Sequence, residues 1–283
     1  MSITVTDLTH VYSPGQPQEH TALDGISFHI PDGTFAGIIG HTGSGKSTLV
    51  QHLNGLLKPT SGQIIVDDVD ITKAGADSRR VRQTIGLVFQ YPEYQLFEET
   101  VAKDVAFGPA NLGLSQDEID ARVREAIELV GLDYHAIKNV SPFELSGGQK
   151  RRVAIAGVIA MRPRILILDE PTAGLNPRAH HEILDMVTQI HQQMGNIIIM
   201  VSHNMNDIAR MADQLLVMDR GKLVMDGTPR EVFAHGEDLD KIGLAQPDAA
   251  QIAETLRQGG LPLEGSFMTL EETADAIAKA LKK

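Results

Sequence analysis

Short, almost wholly apolar runs alternate along the chain with stretches whose apolar positions recur at helical spacing. Phe35–Ile39, Ile165–Leu168 and Ile197–Val201 are runs of the first kind, the pattern of strands covered on both faces. Each leads into helical spacing, at Lys46–Leu56, Pro177–Met194 and Met205–Met211. Such alternation predicts an α/β core, a mainly parallel sheet with helices on both faces. The first thirty residues differ: Ile3–Val5, Thr9–Tyr12 and Ile26–Ile30 alternate polar and apolar, with turn residues at Ser13–Gly15 and Pro31–Gly33, and predict short β segments. Between Gln90 and Met161 only helical patterns remain. Asp117–Val130 places Ile119, Val123, Ile127 and Val130 on one stripe and stops at Gly131, so an inserted helical subdomain is expected. After Phe233 the strand pattern does not return. Asp248–Arg257 and Leu270–Leu281 are amphipathic, separated by Gly259–Pro262, and Thr269 and Glu272 have capping-box spacing. The expected division is a main domain over 1–235, with the helical subdomain at about 91–161, and a C-terminal helical extension over 236–283.

Length and composition narrow the class without naming it. The chain has 283 residues, 42% hydrophobic and 22% charged, ordinary for a globular protein of one large or two small domains. The longest apolar stretch, Val153–Met161, is about half a membrane span. With no cysteine there is neither a disulfide framework nor a thiolate metal site. The 25 basic and 37 acidic residues give a net charge of −12, the wrong sign for coating a phosphate backbone. Action at a membrane would therefore require recruitment by a protein partner.

Candidate chemistry begins after the first apolar run. Gly40-His41-Thr42-Gly43-Ser44-Gly45-Lys46-Ser47 fits the phosphate-binding loop pattern, extended by Thr48. Glycines let successive backbone N–H groups turn inward onto a phosphate, and the following helix adds its positive end. Lys46 supplies full charge for the β- and γ-phosphates of a nucleotide, and Ser47 a hydroxyl for Mg²⁺. This loop alone leaves kinases, GTPases and ATPases open. Ile165–Leu168 then ends in Asp169 and Glu170. Paired carboxylates closing a buried strand point to a polar site: Asp169 as a metal ligand, Glu170 as the base that orients and polarises water.

Leu145-Ser146-Gly147-Gly148-Gln149, between that loop and the acidic pair, resembles the signature motif of the ABC ATPases. The resemblance extends in order over residues 1 to about 235. Gln90 stands where that family has its Q-loop glutamine, Ala173–Pro177 resembles the D-loop, and His203 resembles the switch histidine. Tyr12 lies where an aromatic ring stacks on adenine. The resemblance implies a P-loop NTPase of ABC type. Its RecA-like, mainly parallel sheet core carries an N-terminal antiparallel β subdomain, an inserted α-helical subdomain and a small C-terminal helical extension. It also implies catalytic roles for Glu170, His203 and Gln90, metal contacts from Ser47, Gln90 and Asp169, and nucleotide contacts from Tyr12 and Gly40–Thr48. Ser146, Gly147, Gly148 and Gln149 would serve the nucleotide of a partner subunit. The family usually has Asp where this chain has Asn176, which keeps hydrogen-bonding capacity and loses charge.

Gln90–Val101, Asp104–Pro109 and Ser141–Gly148 are similar to the energy-coupling factor transporters, and the loop with Gln95–Thr100 is most similar to the second of their two ATP-binding subunits. That resemblance implies ATP-driven uptake of vitamins or other micronutrients. The implied partners are a companion ATPase subunit in a heterodimer, a membrane coupling protein and an exchangeable substrate-binding membrane subunit, with the chain at the cytoplasmic face of the cell membrane. A self-pairing ATPase of a cobalt- or nickel-type importer is the nearest alternative. A nucleic-acid ABC ATPase lacks support in the charge, and a small-molecule kinase has no use for the signature motif or His203. Glu93, Glu98, Glu99 and Asp104, interleaved with Tyr91, Tyr94, Leu96 and Phe97, are expected to form a groove for a basic helix of the coupling protein.

Overall fold

The computed structural model describes residues 2–73 and 83–281; the last two residues of the expected extension, 282–283, lie outside them. The protein begins with β1 (Ile3–Tyr12) and β2 (His20–Ile30). The three short segments expected here are thus two long strands. Register shifts between Val5 and Val11, with Asp7 at φ 47°, break the pattern of β1 without ending it. β4 (Ser61–Val66) and β5 (Val69–Asp70) complete an antiparallel sheet of order β2-β1-β4-β5.

The second sheet combines β3 (Phe35–Ile39), β6 (Ile85–Val88), β7 (Ile165–Asp169), β8 (Ile197–Val201), β9 (Gln214–Asp219) and β10 (Lys222–Gly227) in the order β10-β9-β3-β8-β7-β6. Its pairs are parallel except β9–β10. The period of two divides these strands between two cores. Ala36, Ile38, Ile165, Ile167, Ile197, Ile199 and Leu216 face the antiparallel sheet and α1 (Lys46–Leu53). Phe35, Ile39, Leu166, Leu168, Ile198, Met200 and Leu215 face the helices on the other side.

Those helices are α2 (Val101–Asn111), α3 (Gln116–Leu129), α4 (Tyr134–Ile137) and α5 (Gly147–Ile159), followed by α6 (Pro177–Met194) and α7 (Met205–Met211). Ser115 caps α3 through the Glu118 amide, and Ile119, Val123 and Ile127 of the expected stripe are buried. After α8 (Pro229–Phe233) and α9 (Gly236–Lys241), α10 (Asp248–Gln258) and α11 (Leu270–Ala280) close the chain. Leu239, Leu244 and Met268 join the large core beside the sheet, whereas Ala249, Ala253, Leu263 and Phe267 form a small core of their own. Thr269 caps α11 through the Glu272 amide, but the Glu272 carboxylate accepts from the Met268 N–H and pairs with Arg230. Only half of the expected capping box therefore forms.

Candidate functional site

The parallel strands bring the separated motifs to one edge of the sheet. With β3, β8, β7 and β6 adjacent, the loops leaving their carboxyl ends carry the P-loop, His203, Asp169–Glu170 and Gln90 side by side. Open α/β sheets bind ligands at this edge.

The loop after β3 curls because two of its glycines have no room for a side chain. A Cβ on Gly40 would lie 2.4 Å from the Met218 carbonyl, and one on Gly45, at φ 102°, 2.7 Å from the Ala22 carbonyl. Ser44 is buried behind the loop with its hydroxyl unpartnered. The Lys46 ammonium donates to the Gly40 and His41 carbonyls at 2.7 and 3.0 Å, so the loop wraps its own cation. His41 accounts for both ring nitrogens, with Nε2 2.8 Å from Asp219 and Nδ1 2.7 Å from the Thr42 carbonyl. Gly40–Gly43, Gly45 and Lys46 line a cavity of about 700 Å³ with Tyr12, Ser47, Thr48, Gln90, Asp169, Glu170 and His203.

Asp169 and Glu170 face Lys46 across this cavity. Burial pushes the Asp169 carboxyl above the usual aspartate range, the Glu170 charge adds to that, and Lys46 only partly opposes it. Burial likewise pulls Lys46 below the ordinary lysine value against the fields of Glu170 and Asp169. Glu170 has a left-handed backbone, φ 52°, a conformation costly for a residue with a side chain and concentrated at functional sites. Its N–H donates to Val201 O at 3.0 Å, and its carboxylate accepts from His203 Nδ1 at 2.7 Å. Glu170 is 14% exposed and His203 75%, so the carboxylate sits inside the cleft and the imidazole covers it from solvent.

The signature residues occupy a different place. Ser146 caps α5 in a full capping box: its Oγ accepts the Gln149 N–H and Gln149 Oε1 accepts the Ser146 N–H at 3.1 Å. This leaves the Gly147 and Gly148 amides at a helix start with open space above them. They line a second cavity, of about 740 Å³, with Ala173, Gly174, Leu175 and Asn176. Asn176 is itself a cap, accepting from the Ala179 N–H of α6 at 3.0 Å, a function that Asn and Asp perform alike.

The expected acidic groove is corrected. Glu93 is committed inside the protein: both its oxygens accept from Arg151, at 2.7 and 3.0 Å. Arg151 is buried, also donates to the Pro171 and Ala173 carbonyls, and lies 5.8 Å from the Tyr91 ring centroid. Asp104 accepts the Phe97 and Glu98 N–H groups, and Glu99 pairs with Lys103. Glu98 remains available beside the exposed rings of Phe97 and Phe107, which meet edge to face at 5.0 Å.

Sequence reasoning missed His20, Met205 and Gly243–Ala245, all at the rim of the nucleotide cavity. Gly243–Ala245 come from the C-terminal segment, where no local pattern marks them. That segment is held beside the His203 turn by a reciprocal pair: Asn206 Nδ2 donates to Asp248, and the Asp248 N–H donates to Asn206 Oδ1 at 2.9 Å.

Comparison with known proteins agrees with this geometry. The ABC transporter family pattern matches residues 23–173. The energy-coupling factor transporter ATP-binding protein EcfA2 of Caldanaerobacter subterraneus subsp. tengcongensis is 55% identical over 282 residues, covering 100% of this chain and 98% of its own. The chain belongs to the energy-coupling factor transporter ATP-binding proteins, within the ABC transporter family. It is an ATP-binding, ATP-hydrolysing transport subunit. Among solved structures, cbiO1 of Clostridium perfringens, part of the ABC transporter complex cbiONQ, is similar at a TM-score of 0.76 and 39% identity, over 90% of this chain and 98% of that one. The dimeric cassette MJ0796, in a post-hydrolysis state with ADP and Pi, has a TM-score of 0.70 and 27% identity over 81% and 99%. Among the described residues of this energy-coupling factor ATPase, no helix is long and apolar enough to cross a membrane.

Proposed function

We propose that this subunit hydrolyses ATP in a head-to-tail pair, each nucleotide lying between the P-loop of one subunit and the signature helix of the other. The observation that carries this reading is the separation within one chain. Lys46, Asp169 and Glu170 line one cavity, while the free amides of Gly147 and Gly148 line another. A helix start with open amides attracts an anion, so an exposed one away from the chain's own cradle suits a partner's γ-phosphate. The similar cassette MJ0796, dimeric and bound to ADP and Pi, supports action as a pair.

Tyr12 stacks on the adenine and Gly40–Thr48 enclose the phosphates. The donors present fit a magnesium ion held together with phosphate oxygens: the Ser47 hydroxyl, the Gln90 amide and the Asp169 carboxylate are hard oxygen ligands. In this reading the phosphate oxygens complete the set. Burial, and after it the Glu170 charge, raise the Asp169 carboxyl, and a dication there would oppose both. When bound, Mg²⁺ neutralises charge on the phosphates during transfer. Glu170 orients a water for in-line attack on the γ-phosphorus and takes its proton as the bond to the β-phosphate oxygen breaks, giving ADP and phosphate. His203, donating to Glu170, holds the carboxylate in place, and Gln90 links this centre to the helices after β6.

The companion is a related ATP-binding subunit in a heterodimer. The pair is recruited to the cytoplasmic face of the cell membrane by a coupling protein whose helix docks near Phe97, Phe107 and Glu98, and a separate membrane subunit selects the vitamin or other micronutrient. Glu170→Gln tests the core of this reading. In the assembled complex, ATP binding should persist while turnover falls at least about a hundredfold, roughly 2.7 kcal/mol of barrier, with closed ATP-bound pairs accumulating. Near-normal hydrolysis by that variant refutes the assignment.

A further inference from the structure

Two buried histidines behind the cradle take no part in the chemistry proposed above. His52 lies on α1 and is 1% exposed; His10 lies on β1, two positions before Tyr12, and is 9% exposed. His52 Nδ1 is 2.7 Å from the Thr48 carbonyl. A carbonyl only accepts, so Nδ1 carries the proton and, in the neutral ring, Nε2 is an acceptor. Its partner at 3.1 Å is His10 Nδ1, which must therefore donate. With His52 neutral this assigns the His10 proton to Nδ1, and His10 Nε2 is left buried without a partner. Burial pulls His52 below the ordinary histidine value; the Thr48 carbonyl opposes this, His10 adds to it and a Lys58 backbone contact opposes it, so the net effect favours the neutral His52 ring.

From His10 the contacts return to the nucleotide. Its ring stands edge-on to Tyr12, with centroids 4.5 Å apart and planes at 83°. The Tyr12 hydroxyl lies 3.4 Å from Thr48 Oγ1. Thr48, His52, His10 and Tyr12 thus close a ring of contacts joining the P-loop helix to the end of β1. Packing alone does not account for two imidazoles here. Apolar side chains of similar size would fill the space without leaving Nε2 unsatisfied, which carries a cost in free energy. Tyr12 is 40% exposed and the chain turns away at Ser13, φ 51°, so β1 beyond it offers no support.

We infer that His10 and His52 are positioning residues for the nucleobase: their hydrogen bond fixes the Tyr12 ring relative to the P-loop helix, so that base and triphosphate are gripped in one register. This rests on the reading of Tyr12 as the adenine platform. It adds that the platform is set from beneath by a hydrogen-bonded histidine pair. A stack is sensitive to ring placement and contributes about tenfold in affinity, so a loosened ring forfeits much of that.

The test uses the full chain, with ATP and inorganic tripolyphosphate as probes in the presence of Mg²⁺. His10→Phe keeps an aromatic ring at this place and removes the donor to His52 together with the unpartnered Nε2. It should weaken ATP binding about five- to tenfold, leave tripolyphosphate within about twofold, and raise KM more than it lowers kcat in the assembled complex. His10→Asn, which returns a donor near the place of Nδ1, should recover part of the lost affinity. Should His10→Phe not fold, His52→Met carries the same comparison. Unchanged ATP binding by His10→Phe, beside a clear loss for Tyr12→Ala, overturns the inference and leaves the Tyr12 reading intact. Unchanged binding by Tyr12→Ala overturns both. Equal losses for ATP and tripolyphosphate also overturn it, because the pair would then support the phosphate cradle and not the base.

Discussion

Glu93→Gln removes a negative charge from a place where water cannot replace it. The carboxylate is 17% exposed and its partner Arg151 only 1%. Arg151 makes four hydrogen bonds, two to Glu93 and two to the Pro171 and Ala173 carbonyls. Glutamine can accept one of the two bonds and supplies no charge. Removing one partner of a buried pair costs about 3–5 kcal/mol; the two carbonyls still solvate Arg151, so about 3 kcal/mol is expected. For a chain of this size that is a fall in Tm of roughly 6–12 °C. Thermal unfolding of the nucleotide-free chain at pH 7 measures it. The pH dependence supplies a second check. Burial is the largest single influence and raises the Glu93 carboxyl, but the Arg151 hydrogen bonds, a backbone hydrogen bond and the Arg151 charge together outweigh it and the net shift is downward. A folded-state value below the unfolded one gives stability that is present above the ordinary glutamate range and is lost as pH falls through the folded value. The gap between the two proteins should therefore narrow below about pH 4. A Tm within about 2 °C of the parent at pH 7, or a gap that widens on acidification, refutes the internal pairing and returns Glu93 to the surface that meets a partner.

The remaining acids and caps give further tests. Glu98→Lys should weaken capture of the membrane partner in pull-down while ATP binding and Tm hold, and undiminished capture counts against docking at the Phe97–Phe107 surface. Asn176→Ala should lose about 1 kcal/mol through the α6 cap, seen as a lower denaturation midpoint, whereas Asn176→Asp should keep it. An undiminished midpoint for Asn176→Ala would show that the cap contributes nothing, and an equal loss in Asn176→Asp would show that the carboxylate does not replace the amide there. The isolated chain should be a weak ATPase whose specific activity rises when the companion subunit and membrane complex are added. Full activity from a species sized as a monomer at assay concentration would end the head-to-tail reading.

What was legible in the sequence is chemistry that closes within a few residues. The P-loop is a strand end, a turn and a helix start, and each requirement is local: no side chain at Gly40 or Gly45, a cation at Lys46, a hydroxyl at Ser47. The signature motif is likewise a capping box completed between Ser146 and Gln149. The parallel strands β3, β7 and β8 were readable because burial on both faces leaves them almost no polar residues. β10 was not, because no residue of it is fully buried, and β4 opens with Ser-Gly, which reads as a turn. The acids after Gln90 misled for a different reason. The partner that decides the role of Glu93 is Arg151, 58 residues away, and no local spacing distinguishes a committed carboxylate from a free one.

The same distance rule separates the two layers of the nucleotide site. The residues proposed to touch phosphate belong to motifs. Residues that set where those motifs stand come from elsewhere: Asp219 against His41, 178 positions away, His10 against His52, 42 away, and the C-terminal stretch Gly243–Ala245 at the cavity rim. Even the motifs do not stand in chain order. Along the sheet edge the sequence β3, β8, β7, β6 puts the P-loop next to His203 and places Gln90 beyond the acidic pair. Glu170 can therefore be met by His203, 33 positions later, because β8 inserts between the two strands that carry the phosphate loop and the carboxylates. Chain order alone would set Gln90 nearest the P-loop. The crossover topology gives that place to the histidine.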